Sequence, residues 1–263
     1  MIIVKIGGGK EINVKGIISD LSNLKEKFII VHGANFIRDK IAEELGKPKR
    51  EVVSASGYSS VFSDEDAIDI LMMAYSGVKN KRIVELCHQH GINAIGLSGL
   101  DGKVIQGQRN KGIIVKENGK SLVLRDFSGK PRGINKHLIN LLLDNGYIPV
   151  LCVPIIDENN FAINSENDDI INVLQNGLNA KKIIQLIEAP GYLESKHDPS
   201  SLIKNIKKEE LHIIEGNVDG RMKRKIFALR KLFEMGASEV IISDGRSENP
   251  IEDALNGKGT IIR

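Results

Sequence analysis

The sequence predicts an α/β fold of three layers, in which helices cover both faces of a mainly parallel sheet. Short apolar runs alternate with helix-like segments through most of the 263 residues, as in repeated strand-helix-strand units. The first run, MIIVKIGGGK, is an apolar strand that ends directly in three glycines. One stretch, 103–126, breaks the alternation and predicts inserted β-hairpins. A chain of this length can form one large domain or two lobes.

Hydrophobic periodicity and glycine or asparagine stop signals define each predicted element. Ser63 is the predicted N-cap of the longest helix, and Asn118-Gly119 is the predicted two-residue turn of a hairpin. The polar stretch 192–210 is the least structured part of the prediction. The predicted strands are 2–6, 27–32, 93–97, 147–153, 182–187, 238–243 and 259–262, and the predicted helices are 35–46, 64–89, 134–144, 166–178, 221–235 and 250–256.

Composition excludes several classes of function. The net charge of +3, four Tyr, seven Phe and no Trp argue against a nucleic-acid-binding protein. No apolar run approaches the roughly 18 residues that span a bilayer, and the first strand is too short for a signal peptide. We therefore expect a cytoplasmic protein without a membrane segment. Cys87 and Cys152 lack metal-ligand spacing, so both are predicted to be buried thiols, and no metal site is predicted.

Lys5 is the residue that most directly indicates a functional site. A buried strand does not normally carry an unpaired ammonium, because desolvating that charge costs several kcal/mol. The glycines that follow, Gly7 and Gly8 among them, allow backbone N–H groups to approach an anion such as a polyphosphate. The alternative is a simple glycine turn, with Lys5 extending to the surface.

Three further segments fit an anion site. His32-Gly33-Ala34-Asn35 takes a strand into a helix through small residues, and Asn164 and Asp168 precede and open another helix. Gly220-Arg221-Met222-Lys223-Arg224-Lys225 places cations at a helix N-terminus, where they oppose the helix dipole. Each has a plainer alternative, such as a helix cap. Together they supply the cations, amides and carboxylate that phosphoryl transfer needs.

The motif GxxxxGK[ST] is absent, and so are the HRD and DFG signatures of protein kinases. The chain instead resembles the amino acid kinase family of the acetylglutamate kinase type. It is most similar to the branch that phosphorylates glutamate or 2-aminoadipate attached to an amino-group carrier protein. The segments that carry the resemblance are VKIGGG (4–9), VHGA (31–34), SASGYSS (54–60), GINAIGLSGLDG (91–102), RDFSGK (125–130), GYIPVL (146–151), GRMKRK (220–225), VIISDGR (240–246) and GKGTII (257–262).

The resemblance implies a role for each matching residue. Lys5 would stabilise the transferred phosphoryl group, Lys225 would lie on the leaving side, and Asp168 would position both lysines. The implied nucleotide- or phosphate-binding residues are Gly7, Gly8, Glu188, Gly220 and Met222, and the implied substrate-binding residues are Gly33, Ala34, Val61 and Asn164. The resemblance also implies ATP and Mg²⁺, and a homodimer formed through the long helix. The polar stretch 192–210 marks the predicted lobe boundary, so we expect a substrate-binding lobe (1–190) followed by the C-terminal part of a nucleotide-binding lobe (191–263) in one continuous sheet.

Departures from the family pattern concentrate at the substrate end. The family places an arginine where this chain has Val61, and another at Ser59 in the carrier-linked branch. Ile187-Glu188 stands where the family usually has Ser/Thr-Asp, and Asn35 stands where a glycine or another small residue is usual. Arg38 on the helix after HGAN either replaces the missing arginine or faces solvent.

The predicted activity is therefore ATP-dependent phosphorylation of a side-chain carboxylate, giving an acyl phosphate. The predicted substrate is glutamate or 2-aminoadipate on a small acidic carrier protein. The alternatives are a free-substrate kinase, acting on acetylglutamate or on an unusual carboxylate or phosphate, and a non-catalytic relative that binds nucleotide or carrier for regulation. The basic stretch 109–136 is either a solvated hairpin face or the docking site for the acidic carrier.

Overall fold

The computed structural model describes residues 1–53, 59–117, 120–195, 198–218 and 220–263. Strands are β1 Ile2–Ile6, β2 Phe28–His32, β3 Glu51–Val53, β4 Ser59–Val61, β5 Ala94–Ser98, β6 Ile105–Arg109, β7 Ile113–Glu117, β8 Lys120–Leu124, β9 Gly129–Ile134, β10 Ile148–Cys152, β11 Ile155–Ile156, β12 Ala162–Ile163, β13 Lys182–Ile187, β14 Asn205–Ile206, β15 Glu239–Asp244 and β16 Thr260–Ile262.

Helices lie between these strands. Their bounds are α1 Val14–Ser22, α2 Asn35–Glu44, α3 Glu65–Leu71, α4 Asn80–Gln89, α5 Lys136–Asp144, α6 Asn167–Leu178, α7 Leu211–Gly216, α8 Gly220–Glu234 and α9 Pro250–Leu255. A π-helical segment, Met72–Lys79, joins α3 to α4, so the predicted long helix 64–89 is continuous but changes its hydrogen-bond pattern in the middle.

One large sheet forms the centre of the molecule. In the described part of the chain its strand order is β14-β16-β15-β13-β1-β2-β10-β5, and neighbours are parallel except for the antiparallel pair β15 and β16. A smaller sheet, β12-β11-β6-β9, and the two hairpins β3-β4 and β7-β8 lie beside it. The predicted three-layer α/β fold with hairpin insertions is confirmed. The division into lobes at residue 190 stays a prediction.

Side chains of β1 alternate between two hydrophobic cores, one on each face of the sheet. Ile2, Val4 and Ile6 belong to the core under α1, α4 and α9. Ile3 belongs to the other core, which also takes the buried residues of α6 and α8. Because successive side chains of a strand point to opposite faces, Lys5 points to the face of Ile3. The helix that covers this face is α6, and α6 carries Asp168.

Two sequence predictions are corrected by the structure, and part of a third lies outside the described residues. The N-cap of α3 is Asp64, whose side chain accepts from the Ala67 N–H at 2.9 Å, and not Ser63. The stretch 192–210 is not without structure, since it contains β14, an edge strand of the main sheet. The Asn118-Gly119 turn lies outside the described residues, although β7 and β8 pair on either side of it as predicted. Within the described ranges, no helix has the length and apolar character needed to cross a membrane.

Candidate active site

A cavity of about 900 Å³ opens at the carboxyl edge of the main sheet, where β13, β1 and β2 end. The chain passes from β1 to β2 on one side and later adds β13 on the other, so β1 lies at a topological switch point. Ligands of open α/β sheets bind at such points. The strand order also fixes the order of the loops along the cavity: Glu188 after β13, Gly7 to Gly9 after β1, and Gly33 to Asn35 after β2.

Lys5 and Asp168 form the ion pair at the centre of this edge. The Lys5 ammonium donates to Asp168 Oδ1, and the two side chains are 12% and 20% exposed. Burial by itself raises the pKa of the Asp168 carboxyl. The charge of Lys5, its hydrogen bond and the charge of Lys225 together outweigh burial, so the pKa of Asp168 lies below its usual range. The carboxylate is therefore ionised at neutral pH.

Lys225 brings the second cation to the same place. It lies in α8 and lines the cavity, and its charge is felt at Asp168. Asp168 itself lies in the first turn of α6, where the helix dipole favours a negative charge. The structure thus brings together all three residues that the sequence predicted as catalytic.

The loops after β1 and β2 touch each other through glycine backbones. A Cβ on Gly8 would lie 2.7 Å from the Asn35 nitrogen and 2.8 Å from that of Ala34, and a Cβ on Gly33 would lie 2.8 Å from the Gly8 nitrogen. The Phe36 N–H donates to the Gly8 carbonyl at 3.0 Å. Only glycine permits this approach, which leaves the backbones of both loops open to the cavity.

Gly7 has a different role from Gly8. Its N–H donates to the Leu186 carbonyl of β13 at 2.9 Å. That bond extends the sheet pairing by one residue and commits the Gly7 amide to it. A phosphate contact of the Gly7 N–H would have to share this hydrogen, whereas Gly8 is not committed in this way by the backbone bonds of the described residues.

Glu188 lies across the glycine loop at the β13 end of the cavity. Its Oε1 accepts from the Glu11 N–H at 2.6 Å, and a Cβ on Gly9 would occupy the space of its carboxylate. Glu188 therefore holds the far side of the loop in place. A carboxylate at this position is suited to accept from hydroxyl groups and not to contact phosphate.

The opposite end of the cavity is fixed by a buried carboxylate, Asp126. It accepts from the Ser63 N–H at 3.1 Å and from the Ser128 hydroxyl at 2.6 Å. Ser63 Oγ in turn accepts from the Asn164 side-chain amide at 3.1 Å. This chain of bonds ties the segment after β4, the strand that ends at Val61, to Asn164, which follows β12, and both Val61 and Asn164 line the cavity.

Comparison with known proteins identifies the fold family of this site. The sequence model described as "Amino acid kinase family" matches residues 1–244. The chain belongs to the amino acid kinase family. It is 40% identical over 269 residues to LysW-aminoadipate kinase of Thermus thermophilus, across the whole of both chains. It is 37% identical to LysW-aminoadipate kinase of Deinococcus radiodurans, across all of this chain and 91% of that protein.

A more distant relative is also named a kinase, and two solved structures share the fold. Acetylglutamate kinase of Methanopyrus kandleri is 29% identical across the whole of both chains. Carbamate kinase of Giardia has a TM-score of 0.69 at 17% identity and covers 99% of this chain and 97% of its own. N-acetylglutamate synthase of Neisseria gonorrhoeae has a TM-score of 0.79 at 18% identity, over 99% of this chain and 58% of that chain. The predicted family and branch are confirmed, and so is the prediction of a kinase.

Most of the residues that the sequence predicted for this kinase site line the cavity: Lys5, Gly7, Gly8, Gly33, Val61, Asn164, Asp168, Glu188 and Lys225. Ala34 is buried and contributes its backbone beside Gly8. Gly220 begins α8, and Met222 packs against the hydrophobic core and does not line the cavity. The individual roles of these residues stay predictions.

Sequence analysis missed two groups that shape the site. Asp126 lies in the motif RDFSGK, but its hydrogen bond to Ser63 spans 63 positions and the motif gave it no role. Tyr75 lines the cavity and donates its hydroxyl proton to Asn35 Oδ1. Burial raises the pKa of Tyr75 to about 12, so this donor keeps its proton at neutral pH. The apolar pattern of the long helix predicted Tyr75 only as a packing residue.

His32, beside the Gly33 turn, is a structural residue and not an acid or base. It is fully buried, and burial lowers its pKa to about 3, so the ring is neutral. The Asn80 side-chain amide lies 3.1 Å from His32 Nε2 and also donates to the Val150 carbonyl at 2.9 Å. Because the Asn80 amide donates to Nε2, this nitrogen accepts and the ring proton is assigned to Nδ1. Nδ1 lies 3.4 Å from the Gly33 carbonyl oxygen.

The close approach of the two loops predicts that Gly8→Ala damages catalysis. The new Cβ would meet backbone atoms, so the loops must separate, and misplacement by about 1 Å can cost about 100-fold in rate. We expect kcat/KM to fall by about that factor. Gly133→Ala is the matched control, because nothing lies within 4 Å of a Cβ there. Equal kcat/KM for both variants would contradict the predicted role of the Gly8 contact.

The low pKa of Asp168 predicts the pH dependence of folding stability. A carboxyl whose pKa is lower in the folded state stabilises the protein fully above its unfolded pKa, and that contribution is lost as pH falls through the folded pKa. We expect the stability difference between wild type and Asp168→Asn, measured by urea unfolding, to shrink as pH falls below about 4. Burial raises the pKa of Asp169, so Asp169→Asn should show the opposite trend. If the stability difference between wild type and Asp168→Asn does not depend on pH, the lowered pKa of Asp168 is contradicted.

Proposed function

We propose that this protein is an ATP-dependent kinase that phosphorylates the side-chain carboxylate of 2-aminoadipate or glutamate, held through its amino group on a small acidic carrier protein. The observation that carries the proposal is the buried Lys5–Asp168 pair, with Lys225 beside it, at the switch point of the sheet. The relatives named LysW-aminoadipate kinase, at 40% and 37% identity over the full chain, support the substrate.

The reaction would join the two ends of the cavity. ATP would lie at the β13 end, with its sugar toward Glu188 and its phosphates beside Gly8, and the substrate carboxylate would lie beside Gly33. A carboxylate oxygen attacks the γ-phosphorus, a new O–P bond forms, and the bond to the ADP oxygen breaks. No protein base is needed, because the carboxylate is already ionised at pH 7.

Lys5 and Lys225 would stabilise the charge that develops during transfer. Fixed cations in a partly buried site stabilise a transition state more than mobile water does, since they need no reorganisation. Asp168 keeps the Lys5 ammonium aimed into the cavity and does not touch the reacting atoms. Its role is to position the lysines.

Mg²⁺ enters this proposal with the nucleotide. Among the residues that the structure describes, no group of three or more His, Cys, Asp or Glu side chains could hold a metal ion. Mg²⁺ in kinases is commonly held by phosphates, waters and one or two carboxylates. The donor set of the cavity fits such an ion, with Asp169 as a lining carboxylate for its water shell. The ion would neutralise charge on the phosphates.

The basic hairpin region supports docking of an acidic carrier. Lys111 and Arg125 are exposed beside the hairpin β7-β8, and Gly112, Ile113 and Ile114 of the same region line the cavity. A partner held here would reach the active site directly. Arg109 differs from these two, since its guanidinium lies 3.9 Å from the Phe127 ring centroid and donates to the Asp126 carbonyl. It supports the local structure.

The homodimer stays a proposal as well. Met73 and Val78 of the π-helical segment are 47% and 43% exposed, which gives the long helix an apolar outer surface. A second copy packed against this surface would cover it.

The activity is tested by acyl phosphate trapping. With ATP, Mg²⁺ and hydroxylamine, wild type should form hydroxamate from carrier-bound 2-aminoadipate. Lys5→Ala should lower kcat by about 100-fold or more, because it removes a preorganised charge from the transition state. Lys27→Ala is the control, since Lys27 is 61% exposed and pairs with Asp144 on the surface. Hydroxamate from free acetylglutamate alone would favour the free-substrate alternative, and none from any carboxylate would refute the kinase.

The docking proposal predicts a defect that depends on the carrier. Lys111→Glu with Arg125→Glu should raise the KM for carrier-bound substrate by about tenfold, since each reversal at a surface is worth roughly 0.7 kcal/mol and about 1.4 kcal/mol is a factor of ten. The KM for ATP should not change, and the effect should weaken at high salt. Lys15→Glu with Lys25→Glu reverses two exposed charges that do not line the cavity and serves as the control. Unchanged KM in the first double variant would exclude this docking surface.

A further inference from the structure

A second, smaller cavity of about 240 Å³ adjoins the substrate end of the active site. The two cavities share Arg38, Lys49, Val61 and Asn164 as lining residues. The smaller cavity extends the substrate end between α2 and α3, on the side away from Glu188. A substrate that fills the large cavity beside Gly33 has room for a second group at this junction.

Arg38 is the less exposed of the two cations at the junction of the cavities, and its side chain is partly buried. It lies one helical turn after Asn35, and residues three apart lie on the same face of a helix. Asn35 lines the large cavity, so this face of α2 is the cavity face. The Arg38 side chain is only 15% exposed. The prediction that it faces solvent is therefore wrong.

A neighbouring carboxylate holds the Arg38 guanidinium in a fixed orientation. Arg38 Nε and Nη2 both donate to Asp39 Oδ1, at 2.8 Å and 2.6 Å. The other oxygen, Asp39 Oδ2, lies 3.3 Å from the Lys49 ammonium. A guanidinium has five N–H donors, and these bonds use two. Among the described residues, the Nη1 edge is left for a second acceptor.

The other cations around the small cavity are engaged elsewhere. Lys47 pairs with Asp66 at 2.6 Å, and Lys49 pairs with Glu51 at 3.2 Å in addition to Asp39. Arg50 is exposed and stacks over Phe62. The net charge of the residues around the small cavity therefore does not indicate which of them binds a ligand. The planar edge of the partly buried, oriented Arg38 guanidinium does indicate a binding group, because it can form two parallel hydrogen bonds with a carboxylate.

We propose that Arg38 binds a second carboxylate of the substrate, the one that is not phosphorylated. This inference rests on the proposed function. The reacting carboxylate would lie beside Gly8 and Gly33, and the second would lie one helical turn along α2, at the Arg38 edge. Val61, beside Arg38 at the junction, is apolar and cannot bind an anion, but it leaves space for the guanidinium and its ligand. The second carboxylate is either the α-carboxylate of the amino acid or one on the carrier tail.

The test compares two small substrates that differ only in this carboxylate. N-acetyl-2-aminoadipate has it, and 5-acetamidopentanoate lacks it, while both present the same reacting end. Wild type should prefer the first by about 30-fold or more in kcat/KM, the effect of a buried charge pair. Arg38→Ala should abolish the preference by slowing the first substrate alone, and Arg38→Lys should restore only part of it. Lys40→Ala removes an exposed charge from the same helix and should behave as wild type.

Each other outcome is decisive. If Arg38→Ala still prefers N-acetyl-2-aminoadipate in kcat/KM, the proposal is overturned. It is also overturned if kcat/KM falls equally for both compounds and the melting temperature falls, since Arg38 would then have a structural role. A loss confined to carrier-bound 2-aminoadipate would assign the carboxylate to the carrier tail. If wild type phosphorylates neither compound nor the carrier-bound amino acid, the proposed function fails. Calorimetric Kd values of the two compounds for wild type and Arg38→Ala would then still decide whether Arg38 recognises the carboxylate.

Discussion

The ion pair between Lys5 and Asp168 is the constraint around which the rest of the structure is arranged. A lysine in the central strand of a sheet cannot stay ionised in an apolar core without an anion. The fold supplies one by packing α6 on the face of β1 that carries Lys5, with Asp168 in the first turn of the helix. A buried ion pair can often be replaced by apolar residues of similar volume without loss of stability, so stability alone does not require this pair. The pair is therefore poorly explained by stability and well explained by phosphoryl transfer.

The two ends of the cavity have different physical characters because different strands supply them. At the β13 end, Glu188 closes the glycine loop and offers a carboxylate to hydroxyl groups. At the β2 end, glycine backbones meet without side chains, and beyond them lies the oriented guanidinium of Arg38. One end suits a nucleotide and the other a dicarboxylate. In the proposed reaction the reacting centre would lie between them, where Lys5 and Lys225 would supply positive charge.

Sequence reasoning predicted the sheet and most helices from local signals, and the family resemblance added Asp168 and Lys225 to Lys5 as the predicted catalytic group. Apolar periodicity and glycine turns define the strands and helices, and a lysine in an apolar strand requires a partner. Long-range side-chain contacts are not encoded in that way. Asp126 bonds across 63 positions to Ser63, and Tyr75 across 40 to Asn35, so neither could be assigned before the fold was known. Arg38 shows the same limit, since periodicity alone did not decide whether its face of α2 meets solvent or the cavity.

A double-mutant cycle on Lys5 and Asp168 tests the central claim most directly. Lys5→Met or Asp168→Asn alone leaves one buried charge without its partner, and each should lower the free energy of unfolding by roughly 3 kcal/mol or more. The double variant removes both charges, so it should recover most of that stability while showing no phosphoryl transfer. Additive losses of stability in the double variant, or turnover that survives in it, would contradict an ion pair that the fold keeps for catalysis.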